Sequence, residues 1–248
     1  MTPQVSQERL LYDAFAPGVA YIAVEDSGGR ADIGTCFHIG QNVFVTARHV
    51  VEHHKITKIA TTYTGMTTVG AGYGGSYTAG EWKMSAPPFF HPKPEYDLAA
   101  LQLQRSDRQS ASQIPFLDVR DDRPDELLLR KVVIMGFPPI PGSREPVLVC
   151  ARAEVNASFV TYFDNQRIHI VSCLARGGFS GGPALTPPHH CLGVVTRAVL
   201  KHPLPEELGF MAVVGPLPIL ELLDYHRIMP QYLRDEIWEP HKRGRKGT

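Results

Sequence analysis

The sequence predicts an all-β protein of about a dozen strands in two halves, with short helices at its ends. Three observations carry this. Short runs rich in β-branched and aromatic residues recur along the chain, glycine, proline or polar clusters separate most of them, and helical periodicity is confined to the two ends. At 248 residues with 43% hydrophobic content, the chain can bury a substantial core.

The elements follow in order. Thr2-Pro3 before QVSQERLLYDAF reads as a cap, a first-turn proline and a short amphipathic helix ending near Pro17. Strands are expected at Val19 to Val24, Ile33 to Ile39, Val43 to Thr46, Ile56 to Thr64, Leu98 to Leu103, Val132 to Gly136, Val147 to Val155, Phe159 to Phe163, Ile168 to Ser172, Gly193 to Val199 and Phe210 to Val214. Residues 66–81, MTTVGAGYGGSYTAGE, read as a surface hairpin loop; their glycines match no phosphate-cradling GxxxxGK[ST] pattern. Residues 104–127 are polar and read as the connection between two β units. Beyond Pro216, ILELLDYHRI and PQYLRDEIW read as amphipathic helices packed on the outside. The expected division is 1–17 lead-in, 18–112 first β unit, 113–215 linker and second β unit, and 216–248 terminal helices and basic tail.

Charge narrows the function classes. Lysine plus arginine equals aspartate plus glutamate at 25 each, so no global field favours nucleic acid or an acidic membrane. The basic run from His241 to Lys246 reads as a solvated, frayed tail. No leader peptide is recognisable in the first residues, and no run approaches the roughly 18 apolar residues of a membrane helix. Cysteines 36, 150, 173 and 191 lack CxxC pairing and read as reduced thiols of a cytoplasmic protein. His189-His190-Cys191 reads as a loop, not a zinc site, and neither metal nor organic cofactor is expected.

The chemistry concentrates in ARGGFSGGPAL, residues 175–185, where one hydroxyl stands among glycines before a proline. Glycine weakens regular structure and serves where backbone adopts unusual dihedrals or approaches a ligand. Ser180 is therefore a candidate nucleophile. Gly178-Phe-Ser-Gly-Gly182 also fits GxSxG, but a nucleophile elbow needs a helix directly after its serine, and Gly181, Gly182 and Pro183 oppose one. Asp224 and His226 stand in the order an elbow enzyme needs, yet neighbours two apart on a helix do not share a face. The upstream order fits better. Val43-Phe-Val-Thr-Ala-Arg-His49 runs a strand into a histidine, and Glu95-Tyr-Asp97 sets an acid at the mouth of the apolar strand Leu98 to Leu103. A carboxylate entering a core strand needs a partner, and an imidazole N–H is a suitable one.

These residues resemble the chymotrypsin/trypsin family of serine proteases. TARHV resembles its TAAHC, DLAALQL its D-I-A-L-L-x-L, and GFSGGP its GDSGGP, in the same chain order; Cys191-Leu-Gly-Val-Val-Thr-Arg197 resembles the strand that pairs with substrate backbone. The resemblance spans roughly residues 18–215. It implies two six-stranded antiparallel β-barrels and a catalytic triad: Ser180 attacks the peptide carbonyl, His49 moves its proton, and Asp97 orients His49. It implies an oxyanion hole from the backbone N–H groups of Gly178 and Ser180.

Departures from the secreted family are informative. Phe179 stands where digestive and clotting enzymes carry the aspartate that pairs with a newly cut N-terminus, and Val50 stands where they carry the cysteine partner of the one that Cys36 matches. Both features resemble bacterial trypsin-like peptidases and the catalytic domain of high-temperature-requirement proteases. By the same resemblance Leu174 and Ala175 approach the base of the S1 pocket, and Thr196, Arg197 and Ala198 form one wall. None is a carboxylate, which points to a small or apolar P1 residue, while a shift in alignment brings in Arg176 and an acidic P1. His38, His53, His54, His91, His169, His202 and His226 are expected to be structural or surface residues. The leading expectation is an intracellular serine endopeptidase acting on protein or peptide substrates. The alternatives are a latent or inactive protease-fold binding module, held by a regulatory partner, and an esterase using the same residues.

Overall fold

The computed structural model describes residues 5–62, 65–67, 75–77, 79–105, 124–161, 166–173, 177–187, 190–196 and 210–245. Helix α1 (Gln7–Phe15) is capped by Ser6, whose hydroxyl oxygen accepts the Arg9 N–H at 3.2 Å. The cap is therefore Ser6, not Thr2, because only Ser6 stands three residues before an amide of the first turn; Thr2 and Pro3 lie outside the described residues. Leu11, Ala14 and Phe15 form the buried stripe of the helix.

The first barrel contains β1 (Val19–Glu25), β2 (Ala31–His38), β3 (Val43–Thr46), β4 (Lys55–Thr61), β7 (Gly80–Met84) and β9 (Ala99–Arg105). They are ordered β3-β2-β1-β4-β7-β9, and pairing of β3 with β9 closes the ring. The short α2 (Arg48–Val51) follows β3, β5 (Gly65–Thr67) and β6 (Gly75–Tyr77) form a separate hairpin, and β8 (Phe89–Phe90) adds to β9 outside the ring. The β2–β3 turn uses positive φ at both Gln41 and Asn42, the backbone handedness that matches strand twist. Ile22, Phe44, Trp82, Leu101 and Leu103 fill the barrel interior, joined by Cys36 and Val50.

The second barrel follows a helical turn, α3 (Pro124–Leu127). It is closed in the order β10 (Lys131–Gly136), β11 (Val149–Val160), β12 (Arg167–Val171), β15 (Met211–Val214), β14 (His190–Thr196) and β13 (Pro183–Thr186). Two expected strands, 147–155 and 159–163, are within the described residues one strand, β11. Its register slips between Val155 and Ala157, and a bulge there breaks the alternation that marks a continuous strand in sequence. Strand β13 was hidden because Pro183 follows two glycines; proline is tolerated there as the first strand residue. His190 and Cys191 open β14 instead of lying in a loop, since pairing with Thr186 and Leu185 begins before Gly193.

Helix α4 (Pro216–Tyr225) and a helical stretch over residues 231–245 complete the described chain. The basic run is thus helical as far as Arg245, not frayed: Trp238 stacks on His241 at 5.8 Å and Lys242 pairs with Glu239 at 2.9 Å. One apolar core lies between the barrels. It joins Tyr21, Phe37 and Leu98 of the first half to Met135, Phe137 and Val194 of the second, with α1 and the fully buried Ile219, Leu220, Leu222 and Leu223 of α4 covering it. No helix among the described residues is long and apolar enough to cross a membrane.

Candidate active site

The apolar run Val43–Thr46 is a strand buried on both faces, and Ala47 leaves it in extended conformation as cap of α2. This delivers His49 to the first turn of α2. Pairing of β3 with β9 sets Thr46 opposite Ala99, so Asp97, two residues before Ala99, meets His49, three residues after Thr46. The carboxylate holds His49 twice: Oδ1 accepts its backbone N–H at 2.9 Å, and Oδ2 lies 2.6 Å from ring Nδ1. A proton on Nδ1 facing the carboxylate leaves Nε2 with its lone pair, the state of a general base. The two side chains are 19% and 26% exposed, so the pair is walled in yet reachable.

Ser180 sits in the turn before β13. Its neighbour Gly181 has φ +85°, and a Cβ there would run into Thr35 O, Thr46 Oγ1 and Ala47 N. The backbone after Ser180 therefore lies directly against the segment that leads into His49, and only glycine permits that approach. Thr35 N–H donates to Ser180 O at 2.9 Å, which ties the serine to the first barrel. Gly178 has φ +89°, with Phe137 O and Pro138 Cα where a Cβ would stand. The N–H groups of Gly178 and Ser180 donate to nothing among the described residues, and Ser180 Oγ and His49 Nε2 likewise make no hydrogen bond there. The turn that carries Ser180 thus packs against the backbone that leads into the acid-held imidazole.

The trypsin-like peptidase domain profile matches residues 34–194, more than half of the chain and all three of these side chains. This chain belongs to the trypsin-like peptidase family. Solved structures agree in fold. A variant of the HtrA-type protease AlgW with a tripeptide is similar at a TM-score of 0.60 and 14% identity, covering 89% of this chain and 63% of its own. A protease from M. tuberculosis in its active form gives 0.59 and 18%, covering 86% of this chain and 82% of its own. The serine endoprotease from Yersinia pestis gives 0.58 and 17%, covering 96% of this chain and 70% of its own. No curated protein matches in sequence. The chain spans less than two thirds of the length of the AlgW variant.

In this trypsin-like peptidase, the other residues predicted from sequence fall as follows. Thr196 ends β14, buried, with Ala212 of β15 opposite. Leu174, Ala175, Arg176, Arg197 and Ala198 lie outside the described residues. Phe179 is 3% exposed and points into the apolar interior of the second barrel. Burial pushes the Cys36 thiol up and that of Cys191 up to about 12, so neither is a thiolate nucleophile near neutral pH. Arg48, beside His49, is taken up by Glu52 at 2.5 Å; that hydrogen bond holds the Glu52 carboxyl below its ordinary range.

Sequence reasoning missed the two threonines that support the site, and it expected a structural or surface role for His226 without its partner. Thr46 Oγ1 donates to Thr35 O at 2.7 Å, and Thr35 Oγ1 donates to Gly178 O at 2.6 Å. His226 Nε2 donates to Phe90 O at 2.7 Å, bracing the segment before Asp97 from α4. For the threonines, the signal in the sequence was their place inside otherwise apolar strand segments, GTCF and VFVT.

Proposed function

We propose that this chain is a serine endopeptidase in which Ser180 is the nucleophile, His49 the general base and acid, and Asp97 the group that orients His49. The observation that carries this reading is the double hold of Asp97 on His49 beside the Ser180 turn. In the acylation step, His49 Nε2 takes the hydroxyl proton as Ser180 Oγ bonds to the peptide carbonyl carbon. The resulting imidazolium is stabilised by Asp97, and its proton passes to the leaving amine as the C–N bond breaks. The N–H groups of Gly178 and Ser180 receive the developing oxyanion; such a donor contributes about 3 kcal/mol to the transition state. Water then repeats the sequence to release the acyl group. The absence of a hydrogen bond between Ser180 and His49 is compatible with this, since catalytic hydrogen bonds tighten on substrate binding.

Protein or peptide substrates with a small or apolar P1 residue fit the wall positions Thr196, Arg197 and Ala198 and the base positions Leu174 and Ala175, none of which is acidic. The cysteine spacing supports an intracellular setting, to be checked by fractionating cells that express the tagged chain. A fluorophosphonate probe is expected to label Ser180, with labelling abolished in Ser180→Ala. A second reading, a latent binding module, is favoured by Phe179, which cannot form the carboxylate lock of the secreted enzymes. Labelling that appears only when a protein partner is added would select it.

A further inference from the structure

The loop around Ser180 has lost the ion pair that fixes it in the secreted enzymes, since Phe179 is apolar and buried in the second barrel. Its backbone is nonetheless pinned at three successive carbonyls. Gly178 O accepts the Thr35 hydroxyl at 2.6 Å and the Phe137 N–H at 3.1 Å; Phe179 O accepts the Gly182 N–H at 2.9 Å; Ser180 O accepts the Thr35 N–H at 2.9 Å. Thr35 Oγ1 also accepts the Phe137 N–H at 3.1 Å, so its one proton and a lone pair are both in use. Peptide planarity converts these carbonyl contacts into amide directions, because the N–H of the following residue points opposite to a fixed C=O. The plane that carries the Ser180 amide is thus held by Gly182 through Phe179 O, and Thr35 holds the planes on either side of it.

We propose that Thr35, a fully buried residue of the first barrel, is the positioning residue that holds the oxyanion loop in its working shape, in place of a carboxylate lock. The inference rests on the reading of Ser180 as nucleophile. Thr35 holds two of the three carbonyls and reaches across the barrel boundary to do so. The hydroxyl satisfies the Gly178 carbonyl and the Phe137 amide together, and a methyl in its position leaves a buried carbonyl one donor short. The backbone N–H of Thr35 survives any substitution except proline, so the hydroxyl can be tested alone.

The experiment compares Thr35→Val, which keeps shape and removes the hydroxyl, with Thr35→Ser, which keeps the hydroxyl. With the wild-type chain labelled by a fluorophosphonate, the Val variant is expected to fold with an unchanged far-UV spectrum and to label at least about tenfold more slowly, while the Ser variant stays within about twofold of wild type. On a peptide substrate the loss falls in kcat and leaves KM unchanged; because a smaller folded fraction lowers apparent kcat in the same way, rates are referred to the concentration of active sites given by the end point of fluorophosphonate labelling. If the Val variant fails to fold, Thr35→Cys, whose thiol is a weak donor of similar size, carries the same expectation. Wild-type rates in the hydroxyl-free variants, or a Ser variant as slow as Val, overturn the proposal while leaving Ser180 as nucleophile. A wild-type chain that does not label overturns the underlying reading instead.

Discussion

At the scale of single residues, the site depends on how one carboxylate is shared. Asp97 spends one oxygen on the His49 backbone and the other on the ring, so backbone and tautomer are fixed by the same group. Asp97→Asn keeps the size and one acceptor but presents an amide N–H to one of these contacts. Either the backbone contact is lost, or the ring is driven to the tautomer whose Nε2 carries the proton. A kcat loss on the order of 10³- to 10⁴-fold is expected, with far smaller change in KM, measured from the initial rates of peptide hydrolysis near neutral pH. His49, Asp97 and Ser180 stood out as candidates because each lies in a distinctive local string: a strand-to-histidine step, an acid before an apolar strand, a hydroxyl among glycines. Thr35 did not. A threonine in an apolar strand is ordinary, and its value comes from a carbonyl 143 residues away.

At the scale of elements, the strands of the second barrel carry a polar cost of their own. His169 on β12 stands between Ser158 of β11 and Val213 of β15, fully buried, and both ring nitrogens lack a hydrogen-bond partner among the described residues. Burial first, then the charge of Arg167, pulls its pKa down to about 4. The ring therefore stays neutral in the folded barrel at pH values where the unfolded chain has already bound a proton. Above the unfolded value, near 6.5, the two states do not differ. As pH falls toward 4 the unfolded state gains protons and stability drops by about 3 kcal/mol, then levels off below the folded value. Urea unfolding at pH 7 and at pH 4.5 is expected to show a shallower acid loss in His169→Leu than in the parent chain. Sequence gave no hint of this burial, because one polar residue in RIHIV is equally at home on the outer face of a strand. The bulge in β11 was equally hidden: a single extra residue reverses the alternation, and two half-patterns look like two strands.

At the scale of the whole molecule, the barrels share a core instead of merely touching. Residues of both halves, α1 and α4 contribute to one apolar cluster, and Thr35 and His226 add polar ties across sequence distances that neither barrel spans alone. A joint core predicts one cooperative transition. Trp82 lies inside the first barrel and Trp238 against the shared core, so the single-tryptophan variants Trp82→Phe and Trp238→Phe are expected to report coincident denaturation midpoints once each is referenced to its own far-UV signal. Separate midpoints would show that the halves unfold independently. Local patterning determined the β class, the two halves and the three side chains proposed to bear the chemistry, because strand propensity, turn residues and reactive motifs are written in contiguous stretches. Which barrel closes on which strand, and which distant hydroxyl holds the serine's loop, were decided only in three dimensions, because register and carbonyl partnership depend on residues that meet solely after the chain has closed on itself.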